Sequence, residues 1–178
     1  MLSGADDAAV LRRVFRRAAK DGKDALWTCA LICAADRDRA RLVLAHSLAE
    51  AWRRCLDEHR DAPVDIARIR TLQFTVVAET GLRMAPLVGA TAAAPSEEPL
   101  LDSIRRLHAA LEPREIAALA LADYSPVPEA DIAALAGVPA PGFAGWITGV
   151  RVRANGAGPV TGPPDPGASS SGPGTAGT

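Results

Sequence analysis

Cysteine and histidine offer the most chemistry in this chain, and four of them form two pairs at helical spacing. Cys29 and Cys33 lie four residues apart, and so do Cys55 and His59. Each pair can present two metal ligands from one helix face. If the two helices pair across the polar turn at Asp36, however, Cys33 and Cys55 are separated by roughly 20 Å along the hairpin. The sequence therefore favours buried thiols acting as small apolar groups over one shared zinc ion.

No other pattern predicts catalysis. The remaining histidines, His46 and His108, are scattered, and no serine or cysteine lies in a nucleophile motif. No glycine loop that could hold a phosphate precedes a helix. We therefore expect no enzymatic activity, no cofactor and no metal.

Composition excludes several classes of protein. The 178 residues carry 20 Lys and Arg against 21 Asp and Glu, a net charge of -1, which excludes a histone-like or polybasic binder. No apolar run approaches the length of a membrane span, and the N-terminus lacks the pattern of a secretory signal. Three cysteines are too few for a disulfide framework and fit a reducing compartment, so we expect a cytoplasmic protein without membrane contact.

Changes in composition divide the chain into four parts. Residues 86–99 lack apolar periodicity and are predicted to be a linker, and residues 155–178 are rich in Gly, Pro, Ser and Thr and are predicted to be a disordered tail. The other two parts are an N-terminal block, residues 1–85, before the linker and a C-terminal block, residues 100–154, between the linker and the tail. We expect an all-α protein with two small helical domains.

The N-terminal block contains four helical patterns. The first has an apolar face (Val10, Leu11, Val14, Phe15 and Ala18) opposite a basic one (Arg12, Arg13, Arg16, Arg17 and Lys20). The second, residues 25–33, is apolar nearly all round. After the turn at Asp36, the third is marked by Leu42, Ala45, Ala49, Trp52 and Leu56. The fourth begins near Pro63 with Asp61 or Asp65 as its cap, and Gly81 is predicted to stop it.

The C-terminal block also has helical patterns. Leu100, Leu101, Ile104, Leu107 and Leu111 predict one helix, and Pro113 is predicted to begin the next, which runs to about Asp123. A short helix over residues 129–136 is followed by a turn at residues 137–139. Phe143, Ile147 and Val150 then recur at helical spacing. A short helix, a turn containing glycine and a second helix are the pattern of a helix-turn-helix.

Two stretches carry a family resemblance. The first stretch follows a pattern of four parts. An apolar segment is matched by residues 31–33 (LIC) and a turn with Asp by Asp36; an A-E-D-L-V-Q stretch is matched by residues 40–45 (ARLVLA) and an R-A-W ending by residues 50–52 (EAW). The second stretch follows two motifs. An L-x-x-L-x-P-R-E-R start is matched by Leu107, Leu111 and residues 113–115 (PRE), and an E-I-A-x-L-L-G-V-P motif is matched by residues 131–139 (DIAALAGVP). Over about residues 8–153 the chain resembles the extracytoplasmic-function sigma factors of the bacterial sigma-70 family, in their regions 2 and 4.

The resemblance implies a function in transcription initiation. The first block would bind core RNA polymerase and the promoter -10 element, and the second the -35 element; an anti-sigma factor is a further implied partner. The implied polymerase contacts fall on Arg41, Leu42, Ala45 and His46. The implied DNA contacts fall on Arg53, Arg54, Arg68, Arg70, Thr148, Arg151 and Arg153.

Departures from the family pattern suggest an alternative. Arg41, Leu42 and Ala45 replace the family's E-D and Q, and the basic recognition helix is replaced by residues 143–149 (FAGWITG). Gly142, Gly145 and Gly149 each weaken a helix by about 0.8 to 1 kcal/mol relative to Ala. These substitutions favour a degenerate sigma-like paralogue that acts through protein contacts without recognising a promoter.

Two further features have alternative interpretations. The basic residues of the first helix, with Lys23, are either a solvated helix face or a contact surface for phosphate or an acidic partner, which could be the acidic C-terminal block itself. Residues 1–90 hold 15 Lys and Arg against 12 Asp and Glu, and residues 91–154 hold 5 against 8. For Trp146, packing against Phe143, Ile147 and Val150 is favoured over an exposed protein-binding anchor.

Overall fold

The computed structural model describes residues 4–59, 63–85 and 98–156. In these ranges every regular element is a helix and no strand occurs, so the all-α prediction is confirmed. Most of the predicted linker and of the predicted tail lies outside the described residues. At their edges, Pro99 already begins a helix and the last helix ends at Gly156.

Four helices form the N-terminal block: α1 (Gly4–Asp21), α2 (Lys23–Ala34), α3 (Arg37–Glu58) and α4 (Ile66–Met84). Two aspartates fix where helices begin. The Asp36 carboxylate accepts a hydrogen bond from the Arg39 backbone N–H at 2.9 Å, and the Asp65 carboxylate accepts one from the Ala67 backbone N–H at 2.8 Å. Of the two predicted caps for α4, Asp65 is therefore the one seen.

The prediction that Gly81 stops α4 is wrong, because the helix continues to Met84. Gly81 is buried against α2, and a Cβ atom placed on it would lie 2.6 Å from the Cβ of Cys33. This glycine therefore allows two helices to approach closely and does not end one of them.

The buried face of α3 differs from the one marked by its large apolar residues. Leu42, Ala45, Ala49 and Leu56 are exposed. The side chains that point inward are smaller: Ala40, Val43, Ser47, Ala51 and Cys55. The Ser47 hydroxyl donates to the Val43 carbonyl oxygen at 2.6 Å and so is satisfied within its own helix. Small buried residues let α3 pack closely on α2 and α4, which leaves its larger residues outside.

The C-terminal block contains α5 (Pro99–Ala110), α6 (Pro113–Tyr124), α7 (Glu129–Ala136) and α8 (Phe143–Gly156), with a short 3-10 helix (Ala140–Gly142) before α8. Pro113 is the first residue of α6, as predicted. The Glu115 carboxylate returns to accept a hydrogen bond from the Glu112 backbone N–H at 3.0 Å.

One hydrophobic core joins the two blocks. Helix α6 packs on α2 and α4 as well as on α7 and α8, and buried side chains from all of them form one cluster. The Cys29 thiol lies 3.4 Å from the Ala120 carbonyl oxygen, and His108 Nε2 lies 2.7 Å from the Ile32 carbonyl oxygen. A smaller cluster around Phe15 packs α1 against α3 and α4.

By length and hydropathy, none of the described helices taken singly could cross a membrane. Helix α7 and the segment formed by the 3-10 helix and α8 meet the two criteria together, but they are bent relative to each other.

Candidate functional site

The α7–α8 junction is a sharp bend formed by a short turn. Gly137 adopts the left-handed conformation at φ 73°, and the backbone N–H of Val138 donates to the Ala133 carbonyl oxygen at 2.9 Å. The axis of α7 and that of the segment containing α8 meet at 102°. This angle lies within the range of about 90 to 120° that is typical of helix-turn-helix motifs.

One face of α8 is buried and the other carries little charge. Phe143, Ile147 and Val150 are buried, as predicted, and half-buried Trp146 packs on Phe143 with ring centroids 5.8 Å apart. This contact supports the packing interpretation of Trp146. On the outer face Thr148 is exposed, and its hydroxyl donates to the Ala144 carbonyl oxygen at 2.8 Å. Apart from Arg151 and Arg153 at the end of the helix, the exposed residues near it are small or apolar: Ala144, Gly145 and Val152.

The two arginines at the end of α8 are held by carboxylates of α6. Arg151 pairs with Asp123, and Arg153 pairs with Glu115. Both guanidinium groups remain about half exposed. Their charge is nevertheless balanced within the C-terminal block, so contact with a DNA phosphate would compete with an existing ion pair.

Arg53 and Arg54 share a partner on α3. Both donate to the Glu50 carboxylate, at 2.8 and 2.9 Å, and these hydrogen bonds lower the Glu50 pKa to about 2. Arg54 also reaches Glu79 of α4 at 2.8 Å, and Arg53 reaches Asp57 at 3.3 Å.

The other two predicted DNA contacts of this block are paired as well. Arg68 lies 3.2 Å from Glu58, and Arg70 lies 3.1 Å from Asp21. Both pairs join α4 to a neighbouring helix. All six arginines predicted to contact DNA therefore have a carboxylate partner inside the molecule.

The four predicted polymerase contacts lie together on the exposed face of α3. Leu42 is 52% exposed, and Arg41, Ala45 and His46 are exposed beside it. Arg41 pairs with Asp38 at 2.6 Å, and His46 Nδ1 lies 2.8 Å from the Leu42 carbonyl oxygen. On this face one large apolar side chain is therefore exposed among polar ones.

Leu42 also borders a cavity of about 170 Å³ that the sequence did not predict. The cavity lies between the start of α3 and the ends of α2 and α4, and its walls are mostly apolar. The other lining residues are Cys33, Ala34, Arg39, Val43, Gly81 and Met84. The glycine inside the α4 pattern was the only sequence signal for such close helix packing.

The cysteines are buried thiols, as predicted. Burial raises the pKa of Cys33 to about 12 and that of Cys55 to about 11, and it raises the pKa of Cys29 further. The Cys55 Sγ lies 3.8 Å from His59 Nδ1. Across the described ranges, no three Cys, His, Asp or Glu side chains come together in a way that could hold a metal ion.

The basic residues of α1 are exposed, and the C-terminal block does not neutralise them. In the described part of the chain, no ion pair joins Arg12, Arg13, Arg16 or Lys20 to a carboxylate. Two acidic residues of the C-terminal block, Glu115 and Asp123, pair with arginines of that same block. The interpretation of this face as a partner of the acidic C-terminal block is therefore wrong for the described residues.

No protein-family model, curated protein or solved structure matches this chain. Any functional conclusion rests on its own residues and geometry.

Proposed function

We propose that this chain is a sigma-70-like protein that acts in transcription initiation. The observation that carries the proposal is the α7–α8 unit, in which two helices meet at 102° across the turn that contains Gly137. Helix α7 and the turn after it carry residues 131–139, which resemble the end of the region 4 pattern, and the helical N-terminal block contains the residues that resemble region 2. In this proposal, α7 and α8 form a helix-turn-helix.

Each block has its own role in the proposal. The first binds core RNA polymerase through the exposed face of α3 around Leu42, and it approaches the -10 element through arginines of α3 and α4. The second approaches the -35 element through α8, with Thr148 facing outward and two arginines at the end of the helix. The arginines would exchange their internal carboxylates for DNA phosphates.

A second candidate function has a specific observation in its favour. Because Arg151 and Arg153 are paired inside the molecule and Ala144 and Gly145 lie on the exposed face of α8, this helix offers little to a DNA groove. A sigma-like paralogue that binds polymerase, a sigma factor or an anti-sigma factor needs only the protein-binding surface. The exposed face of α3 supplies such a surface without any rearrangement.

Co-purification followed by transcription tests the first proposal. The tagged full chain should recover core RNA polymerase from its host, and the recovered complex should give promoter-dependent run-off transcripts. Leu42→Glu should abolish recovery, because it replaces the large exposed apolar side chain of the contact face with a charge that is costly to bury. Leu56→Glu is the matched control, since Leu56 is also an exposed leucine of α3 and lies about 21 Å further along the helix.

The outcome separates the two candidates. Polymerase recovery with promoter-dependent transcripts establishes a working sigma factor. Recovery of polymerase or a sigma factor without transcripts, again lost in Leu42→Glu, supports the paralogue. Recovery of neither by the wild-type chain contradicts both.

A charge-restoring variant tests α8 directly. Ala144→Lys with Gly149→Arg should raise affinity for promoter duplex and steepen its salt dependence if α8 faces DNA. The control places the same charges at exposed positions elsewhere, as Leu100→Lys with Leu56→Arg. An equal response from both variants, or a flat response from the first, would show that α8 does not face DNA.

A further inference from the structure

The basic face of α1 stands out because most of its charge is unpaired within the part of the chain that the structure describes. We define the α1 basic face as Arg12, Arg13, Arg16, Arg17 and Lys20, all exposed. Among the described residues, only Arg17 meets a carboxylate, that of Asp21 at 3.7 Å. The same Asp21 oxygen lies closer to Arg70, at 3.1 Å.

The contrast with the predicted DNA contacts gives this face its significance. Arg53, Arg54, Arg68 and Arg70 in the N-terminal block are all paired with carboxylates, as are the two arginines of α8. A phosphate that approached them would have to displace an existing partner, whereas one that approached the α1 basic face would not. Of these two groups, the cations of α1 are therefore the more available to a polyanion.

The geometry of the face suits a phosphate backbone. At 3.6 residues per turn, its five side chains fall within an arc of about 140° and along about 12 Å of the helix. One strand of duplex DNA presents a phosphate about every 3.4 Å, so several lie within reach of such a row. Guanidinium groups also bind phosphate oxygens in a bidentate manner.

Two other occupants fit the structure less well. A membrane surface would need the apolar side of α1, but Leu11, Phe15 and Ala18 on that side are buried against α3 and α4. An acidic protein would need apolar or aromatic anchors at the centre of the contact, and the arc between Arg12 and Arg17 contains only charged residues and alanines.

We propose that the α1 basic face binds the phosphate backbone of duplex DNA without reading its sequence. This contact does not require polymerase, and it uses residues other than the arginines assigned to promoter contacts. If the sigma-like function is correct, the contact would hold DNA beside the N-terminal block. If that function is wrong, the contact remains.

Fluorescence anisotropy with a labelled duplex of non-promoter sequence tests the proposal. The full chain is compared with Arg12→Gln/Arg13→Gln/Arg16→Gln over a range of salt concentrations. Each lost phosphate contact should reduce the slope of log affinity against log salt by about 0.9, so three should reduce it by about 2.7. Affinity at low salt, about 50 mM, should fall by about tenfold or more.

Two control variants make the result specific. Arg37→Gln/Arg41→Gln/Arg105→Gln removes the same net charge from arginines that are paired with carboxylates and are not assigned to DNA, and its slope should stay close to that of the wild type. Arg12→Lys/Arg13→Lys/Arg16→Lys keeps the charge and should keep most of the slope. Circular dichroism verifies that each variant is folded, which is expected because the substituted α1 side chains are exposed.

Three outcomes would overturn the proposal. The first is equal loss of binding in the α1 variant and in the variant of paired arginines, which would mean that only net charge matters. The second is no binding of duplex by the wild-type chain at low salt. The third is binding of a polyglutamate peptide but not of duplex, lost in the α1 variant, which would identify an acidic protein as the partner.

Discussion

Gly81→Ala should destabilise the protein, although alanine is the better helix former. Gly81 lies inside α4 and packs on α2, where an added Cβ would lie 2.6 Å from the Cβ and 3.2 Å from the Sγ of Cys33. The Cβ of Cys33 cannot rotate away, because the position of a Cβ atom is fixed by its backbone. Relief would require α2 and α4 to move apart, and both helices belong to the main core.

The expected magnitude is the difference between two terms. Replacing glycine by alanine inside a helix gains about 0.8 to 1 kcal/mol, and overpacking a core by one methyl group costs about 1 to 3 kcal/mol. Because the contact joins two backbone-fixed atoms, we place the cost near the upper end of that range. The free energy of unfolding should therefore fall by about 1 to 2 kcal/mol.

Urea denaturation followed by circular dichroism measures this change, with Gly145→Ala as the matched control. Gly145 also lies inside a helix, but a Cβ there meets nothing within 4 Å, so the control should be more stable than the wild type by about 0.8 to 1 kcal/mol. Cys33→Ala keeps the offending Cβ and should not relieve Gly81→Ala, whereas Cys33→Gly should. A Gly81→Ala protein as stable as Gly145→Ala would refute the argument.

Three further predictions concern His108, the thiols and Asp36. Burial lowers the pKa of His108, so the unfolded state binds its proton more readily and stability should fall as the pH drops below about 6.5. His108→Gln should weaken this dependence between about pH 7.5 and pH 5.5 in urea titrations, and an unchanged dependence would contradict it. The raised pKa values of Cys33 and Cys55 predict that no thiol reacts with a disulfide reagent at about pH 8 until urea unfolds the protein; rapid reaction of the native protein would refute this. Asp36→Ala removes the side-chain cap of α3 and should cost about 1 kcal/mol, measured as a shift in the urea midpoint; no shift would mean that the cap is not used in solution.

Helix positions were predictable from the sequence because they depend on local signals. Pro113 at the start of α6, Gly137 after α7 and Asp65 before α4 each act within one turn of their own helix. Packing was harder to predict. A glycine that ends a helix and a glycine that admits a neighbouring helix look alike in one sequence, so the prediction for Gly81 is wrong.

The faces of α3 illustrate the same limit. Its large apolar residues suggested one buried face, but the helix buries Val43, Ser47 and Ala51 because α2 and α4 approach closely on that side. Leu42 and the residues predicted to bind polymerase beside it lie on α3 and share an exposed face. The ion pairs of Arg151 and Arg153 depend on where α6 lies relative to α8, which the sequence pattern does not encode.

The shared core distinguishes the two candidate functions energetically. For the two blocks to move apart toward separate promoter elements, α6 must leave α2 and α4, and buried side chains such as Leu119 and Leu121 would lose apolar contacts. Fully exposing a buried leucine costs about 1.5 to 3 kcal/mol, so a partner that binds only the separated blocks must supply several kcal/mol. A partner that binds the exposed face of α3 does not have to supply the free energy of separating the blocks, because Leu42 is already accessible while they are packed. Protein contact at α3 is therefore available to the packed form, whereas simultaneous binding of separated DNA elements requires a partner to open it.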